Sequence, residues 1–198
     1  MSMTARPPVL PDAADDHVIY PSNVKMPQGE KHHDICLNIL LFLQVMYGDD
    51  ETMHAGGDIF CYYIKGNPRK SFAPDAFVIR GIDKKPRKVF KLWEEPLDFR
   101  FALEVWSDSN TELEKRQKFA LYQDTVRALE YAELDEDTGK LTGYRLNEDG
   151  LYEEITPESN GRMNFNELDA ELCYEGDLLR LYRNGEKIPT LAEALYKK

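Results

Sequence analysis

Ala73-Pro74-Asp75-Ala76-Phe77-Val78-Ile79 and Phe101-Ala102-Leu103-Glu104-Val105-Trp106 each place one acidic residue in an otherwise apolar, strand-like run. A carboxylate inside such a run is costly to desolvate unless it is paired or holds a cation. The two acids are 29 residues apart, which allows them to lie side by side on neighbouring strands. Two carboxylates converging at a strand edge can hold a divalent metal for phosphodiester cleavage. Read singly, each could equally mark the end of a strand, because isolated acids in strands are usually solvated.

The rest of the chain sets bounds on this reading. A length of 198 residues suffices for one well-buried domain. A hydrophobic content of 42% suits a soluble globular protein. The formal charge of −11 argues against tight, nonspecific binding to duplex DNA, which needs a basic face. It leaves room for an enzyme whose acidic site is filled by metal ions. Cys36, Cys61 and Cys173 are far apart, without metal-ligand spacing, and read as reduced thiols of a cytoplasmic protein. Residues 1–16 lack the pattern of a signal peptide. The longest apolar stretch, 35–47, is too short to span a membrane, so no membrane partner is expected.

Five prolines in residues 1–30 predict an extended arm, and residues 31–198 a single domain. Residues 31–47 predict a helix, apolar around most of its surface and therefore largely buried. Strands are expected over 58–65, 75–79, 99–105 and 127–134, with a hairpin over 144–155 turning at Asp149-Gly150, and 178–187 reads as a strand leading into a turn at Asn184-Gly185. Residues 111–122 read as an amphipathic helix capped by Ser109 or Asn110. This order predicts an α/β (α+β) domain with a mixed β-sheet flanked by helices and a C-terminal β-meander.

Pro74-Asp75 followed by Glu104-Val105-Trp106 resembles the PD-(D/E)XK nuclease motif. The chain more closely resembles the Uma-two family of bacterial endonucleases, with a restriction-endonuclease-like fold, over roughly 20–195. Gly66 to Asp75, Lys91 to Glu95, Leu103 to Val105, Lys118 to Tyr122, Glu130-Tyr131 and Gly185 to Glu193 carry the resemblance. It implies an Mg²⁺- or Mn²⁺-dependent endonuclease that hydrolyses nucleic acid, DNA in the first place. Asp75, Glu104 and the main-chain carbonyl of Val105 would be metal ligands, and Glu30, which matches the acidic residue this fold often places on or before the first helix, would hold a second metal or a metal-bound water. Trp106 stands where strict spacing puts the motif lysine. The family commonly draws that lysine from the following helix, where Lys118 fits and Lys115 is the alternative. Ala132 stands where the family usually carries tryptophan. A catalytically silent nuclease fold used for binding or assembly is the competing reading. Nucleases of this fold commonly pair, so a homodimer is expected.

Other residues invite site readings. Adjacent His32 and His33 point to different sides of a helix, so a solvated helix start is the expectation for them. Asp58 reads as a strand boundary and Tyr122 as a packing residue. Lys84, Lys85, Arg87, Lys88 and Lys91 form a basic loop between the two carboxylate strands. That loop would either track phosphates or remain a solvated connection.

Overall fold

The computed structural model describes residues 18–21, 29–95 and 97–196. Most of the expected arm, including Pro7, Pro8, Pro11 and Pro27, lies outside the described residues. The elements in chain order begin with α1 (Glu30–Met46), β1 (Met53–Gly56), β2 (Cys61–Tyr62), β3 (Ser71–Phe72), β4 (Ala76–Arg80), β5 (Phe90–Lys91) and β6 (Asp98–Trp106). There follow α2 (Glu112–Ala120), a π-helical turn (Leu121–Val126), β7 (Glu130–Asp135), β8 (Lys140–Leu146) and β9 (Tyr152–Glu154). The C-terminal part holds β10 (Met163–Phe165), β11 (Ala170–Glu175), β12 (Leu178–Arg183), β13 (Glu186–Lys187) and α3 (Leu191–Leu195).

The main sheet has the order β1-β4-β6-β7-β8-β9 and is mixed: β4 runs antiparallel to β6, and β6 parallel to β7. Strand β6 lies inside it, which explains its near-continuous apolar sequence. Successive side chains of β6 point to opposite faces. Phe101, Leu103 and Val105 join a core formed with α1 and the C-terminal sheet β10-β11-β12-β13. Ala102 faces a second core built with the small sheet β3-β2-β5 and the π turn. Glu104 projects on that second side, towards α2. The C-terminal meander thus shares a core with α1 and the main sheet, as the Phe101–Phe165 edge-to-face contact illustrates.

Several expectations need correction. Helix α1 is one-sided: Ile35, Ile39, Phe42 and Leu43 are buried, but Leu37 and Val45 face solvent. The run 58–65 yields only the two-residue β2, and no strand starts at Asp58, which takes a left-handed backbone (φ 52°). Thr111, not Ser109 or Asn110, caps α2 in a reciprocal capping box with Glu114. Asn110 instead accepts from the Ser107 amide.

Candidate active site

Asp75 directly precedes β4, and the pairing of Ala76 with Leu103 sets it beside Glu104 on β6. The backbone there is tightly fixed. The Asp75 amide donates to the Leu103 carbonyl, and the Asp58 amide to the Pro74 carbonyl. Gly57 lies so close that an added Cβ would sit 2.3 Å from the Asp75 carbonyl oxygen. Only a residue without a side chain can pass there. The Asp75 carboxylate accepts from the Val105 amide through Oδ2 at 2.7 Å. Along β6 the Trp106 carbonyl accepts from Glu136 on the β7 side. Backbone alternation therefore turns the Val105 carbonyl to the Asp75 side.

Glu104 is buried. Its Oε1 accepts from Lys118 Nζ at 2.6 Å and from the Tyr122 hydroxyl at 2.5 Å. These two groups come from α2 and the π turn. The wider π turn is a recurrent feature of functional sites, and here it carries the Tyr122 hydroxyl to the carboxylate. Burial pushes Glu104 up to about 7; Lys118 opposes the shift and the Asp75 charge adds to it. Burial and the neighbouring Glu104 charge hold the Tyr122 phenol well above its ordinary pKa, so it remains a donor.

Sequence reasoning misplaced His32. The ring is buried, with Nε2 at 3.4 Å from Asp75 Oδ1 and Nδ1 at 3.5 Å from Glu136 Oε2. Neither His32 Nε2 nor Glu136 Oε2 completes a hydrogen bond. Burial disfavours the charged ring, but Asp75, Glu136 and Glu104 outweigh it, and the His32 pKa is raised. The signal was present: His32 falls on the 32-35-39-43 stripe that α1 buries. His33, one residue on, is exposed. Glu30, two residues or about 200° of helical turn from His32, is also exposed and does not line the cleft. The structure therefore does not bring Glu30 to the carboxylates. Glu136, one residue beyond β7, takes the acidic place near His32 and had no local sequence signal.

These groups line a cleft of about 690 Å³ with His32, Lys70, Asp75, Glu104, Val105, Trp106, Lys118 and Glu136 on its walls. A smaller hollow of about 280 Å³ around Arg145 and Glu153 holds none of the motif residues. Lys115 pairs with Glu112 and Asp135 instead; Lys118 is the lysine that reaches Glu104. The basic loop does not line the cleft. Lys84 donates to the Tyr47 and Gly48 carbonyls, Lys85 and Arg87 pair with Asp83 and Glu95, and Lys91 pairs with Glu94. Four of its five cations are thus engaged within the chain. Lys70, passed over in the sequence, is an exposed cation at the cleft wall.

Asp75, Glu104 and Glu136 share this cleft with Lys118 and His32, and two of its buried polar atoms, His32 Nε2 and Glu136 Oε2, lack hydrogen-bond partners. Asp75, Glu104 and a strand carbonyl form an oxygen donor set of the kind that suits a hard divalent cation. The residues present therefore fit such an ion.

A family model described as "Uma2: Putative restriction endonuclease" matches residues 15–171. The chain belongs to the Uma2 family. Among solved structures, a nuclease of DUF820 from Anabaena variabilis ATCC 29413, titled a "putative nuclease", aligns with a TM-score of 0.50 at 15% identity. The alignment covers 69% of this chain and 75% of that one. At this identity the likeness supports the fold, which is restriction-endonuclease-like. No curated protein matches the sequence. Among the described residues no helix is long and apolar enough to cross a membrane.

Proposed function

We propose that this Uma2 protein is a metal-dependent endonuclease with Asp75, Glu104 and Lys118 as its catalytic residues. The observation that carries the reading is the Lys118–Glu104–Tyr122 cluster beside Asp75. Asp75, Glu104 and Lys118, from three separate chain segments, line one acidic cleft, and Tyr122 supports Glu104 from behind it. Asp75, Glu104 and the Val105 carbonyl would hold Mg²⁺ or Mn²⁺, whose charge would acidify the attacking water and offset charge on the scissile phosphate.

The chain's own groups do the positioning. The Val105 amide fixes one oxygen of Asp75. Tyr122 fixes Oε1 of Glu104, leaving the other oxygen of that carboxylate for the cleft. Lys118, held at the same oxygen, keeps an ammonium where negative charge develops in phosphoryl transfer. Lys70 at the cleft wall would meet a backbone phosphate. Nucleic acid, DNA first, is the substrate class that this chemistry suits. The expected homodimer would set two such clefts against one duplex, and light scattering across a range of salt tests it. The thiols suit a reducing, cytoplasmic setting.

The test is cleavage of single-stranded, duplex and branched DNA and of RNA, with Mg²⁺ and with Mn²⁺, beside a Glu104→Ala control. Metal-dependent cleavage lost in the control supports the reading. Absence of cleavage on every substrate favours the catalytically silent scaffold, and equal cleavage by the control would remove Glu104 from the chemistry.

A further inference from the structure

His32 and Cys36 lie one turn apart on α1, so both side chains leave the same face of the helix. That face is turned towards Asp75. A ring nitrogen of His32, Cys36 Sγ and a carboxylate oxygen of Asp75 all lie within 4.8 Å of one another. The Nε2–Oδ1 separation is 3.4 Å. Ligands of a tetrahedral ion with bonds of about 2.0–2.3 Å stand roughly 3.4–3.8 Å apart, so this pair already has that spacing.

We infer that His32, Cys36 and Asp75 form a second cation site, suited to an ion of the Zn²⁺ class and sharing Asp75 with the hydrolytic pair. Three observations support it. The His32 side chain is nine-tenths buried, and its Nε2 faces Asp75 without a hydrogen-bond partner. Glu136 Oε2 stands 3.5 Å from the opposite ring nitrogen. A carboxylate behind a histidine ligand orients the ring and raises its basicity. Finally, the sulfur and imidazole donors distinguish this trio from the all-oxygen set at Asp75, Glu104 and Val105. Thiolate and imidazole select Zn²⁺-like ions, and carboxylate and carbonyl oxygen select Mg²⁺.

The Cys36 thiol is held protonated by burial first, and by the charges of Asp75, Glu104 and Glu136. Those same charges make the position attractive to a cation. As the sulfur–metal bond forms, the thiol proton passes to solvent, one per ion bound. The cleft, lined by His32 and Asp75, gives the ion its route in. An ion held here engages the carboxylate that the hydrolytic pair needs, so Zn²⁺ acts as a competitor of Mg²⁺. That competition rests on Asp75 serving the hydrolytic site; the second site itself does not.

The test is titration of the full chain with Co²⁺, followed by absorption, on the wild type, Cys36→Ser, Cys173→Ser and Glu104→Gln. The expected result is a thiolate-to-cobalt charge-transfer band that saturates at one equivalent and is displaced by Zn²⁺. It is kept in Cys173→Ser and Glu104→Gln and lost in Cys36→Ser. The Zn²⁺ affinity of His32→Gln should fall at least tenfold. Thermal melting checks that Cys36→Ser folds, with Cys36→Ala as the alternative variant. A wild type without the band, or a band that survives in folded Cys36→Ser, would overturn the site. Because the band is read without any cleavage, it stands or falls separately from the nuclease reading.

Discussion

Glu104 and Glu130 are both buried glutamates, on the neighbouring parallel strands β6 and β7. Their surroundings differ. Glu130 is closed in: Arg145 donates to Oε1, the Asn166 amide to Oε1 and the Glu167 amide to Oε2. Both of its oxygens are spent on tying β7 to the loop after β10. Among the described residues, Glu104 has donors on Oε1 only, and it lines a cleft. Burial raises the pKa of both, and for Glu104 it reaches about 7. Burying a carboxylate therefore does not by itself make a site; a site needs an oxygen left over and a way in from solvent. Glu130 is a structural clamp, and Glu104 keeps one oxygen free beside the cleft.

The largest expected effect breaks this symmetry most directly. Glu104→Gln keeps an acceptor for Lys118 and Tyr122, so the fold should hold. Cleavage should fall by roughly a thousandfold, the equivalent of the several kcal/mol a cation contributes to phosphoryl transfer. Equal cleavage rates in the two proteins would remove Glu104 from the chemistry. Glu130→Ala should do the reverse. It strands two backbone amides and Arg145, at a cost of about 3 kcal/mol. In a chain of this size that lowers the melting midpoint by roughly 6–12 °C. Below that midpoint cleavage should persist; a midpoint within a degree of wild type would refute the clamp.

A smaller effect separates two lysines of α2. Lys118→Met should slow cleavage about a hundredfold, whereas Lys115→Met, whose ammonium pairs with Glu112 and Asp135, should stay within about twofold. The opposite ranking would move the role to Lys115.

The smallest effect is a pH dependence in metal-free protein. The Glu104 pKa, pushed up to about 7, stands above an ordinary value of 4.5. Between those values the folded chain holds a proton that the unfolded chain releases. The stability this group contributes is therefore present at low pH and lost as pH rises through about 7. Melted in EDTA, wild type should lose stability relative to Glu104→Gln between about pH 5 and pH 8. Parallel pH curves for the two proteins would contradict the raised pKa.

Much of this contrast was legible in the sequence. The acids in the runs 73–79 and 101–106 carry their own signal, because a lone carboxylate in an apolar strand needs an explanation. Residues 111–122 read as a helix, and Lys118 was named on it. What escaped depends on distant chain. His32 was hidden by its exposed neighbour His33, although the helical stripe contained it. Glu136 and Lys70 acquire meaning only once β7 and the turn before β3 are folded beside Asp75. Glu130 looked like a strand residue, because its Arg145 partner is brought by the pairing of β7 with β8. The basic loop looked free in sequence because ion pairing with Asp83 and Glu95 is a matter of geometry, and composition does not reveal it. Strands β10 and β11 were missed because they are short or polar, and the turn between them uses Asp169 in a left-handed conformation where glycine would have announced it.

The central claim is that Glu104, unlike Glu130, is held ready for a divalent cation. Calorimetric titration of Mn²⁺ into wild type, Glu104→Gln and Glu130→Gln tests it most directly. The expected result is a saturable heat in wild type and Glu130→Gln that is lost in Glu104→Gln. Unchanged Mn²⁺ binding in Glu104→Gln, or none in wild type, would contradict it.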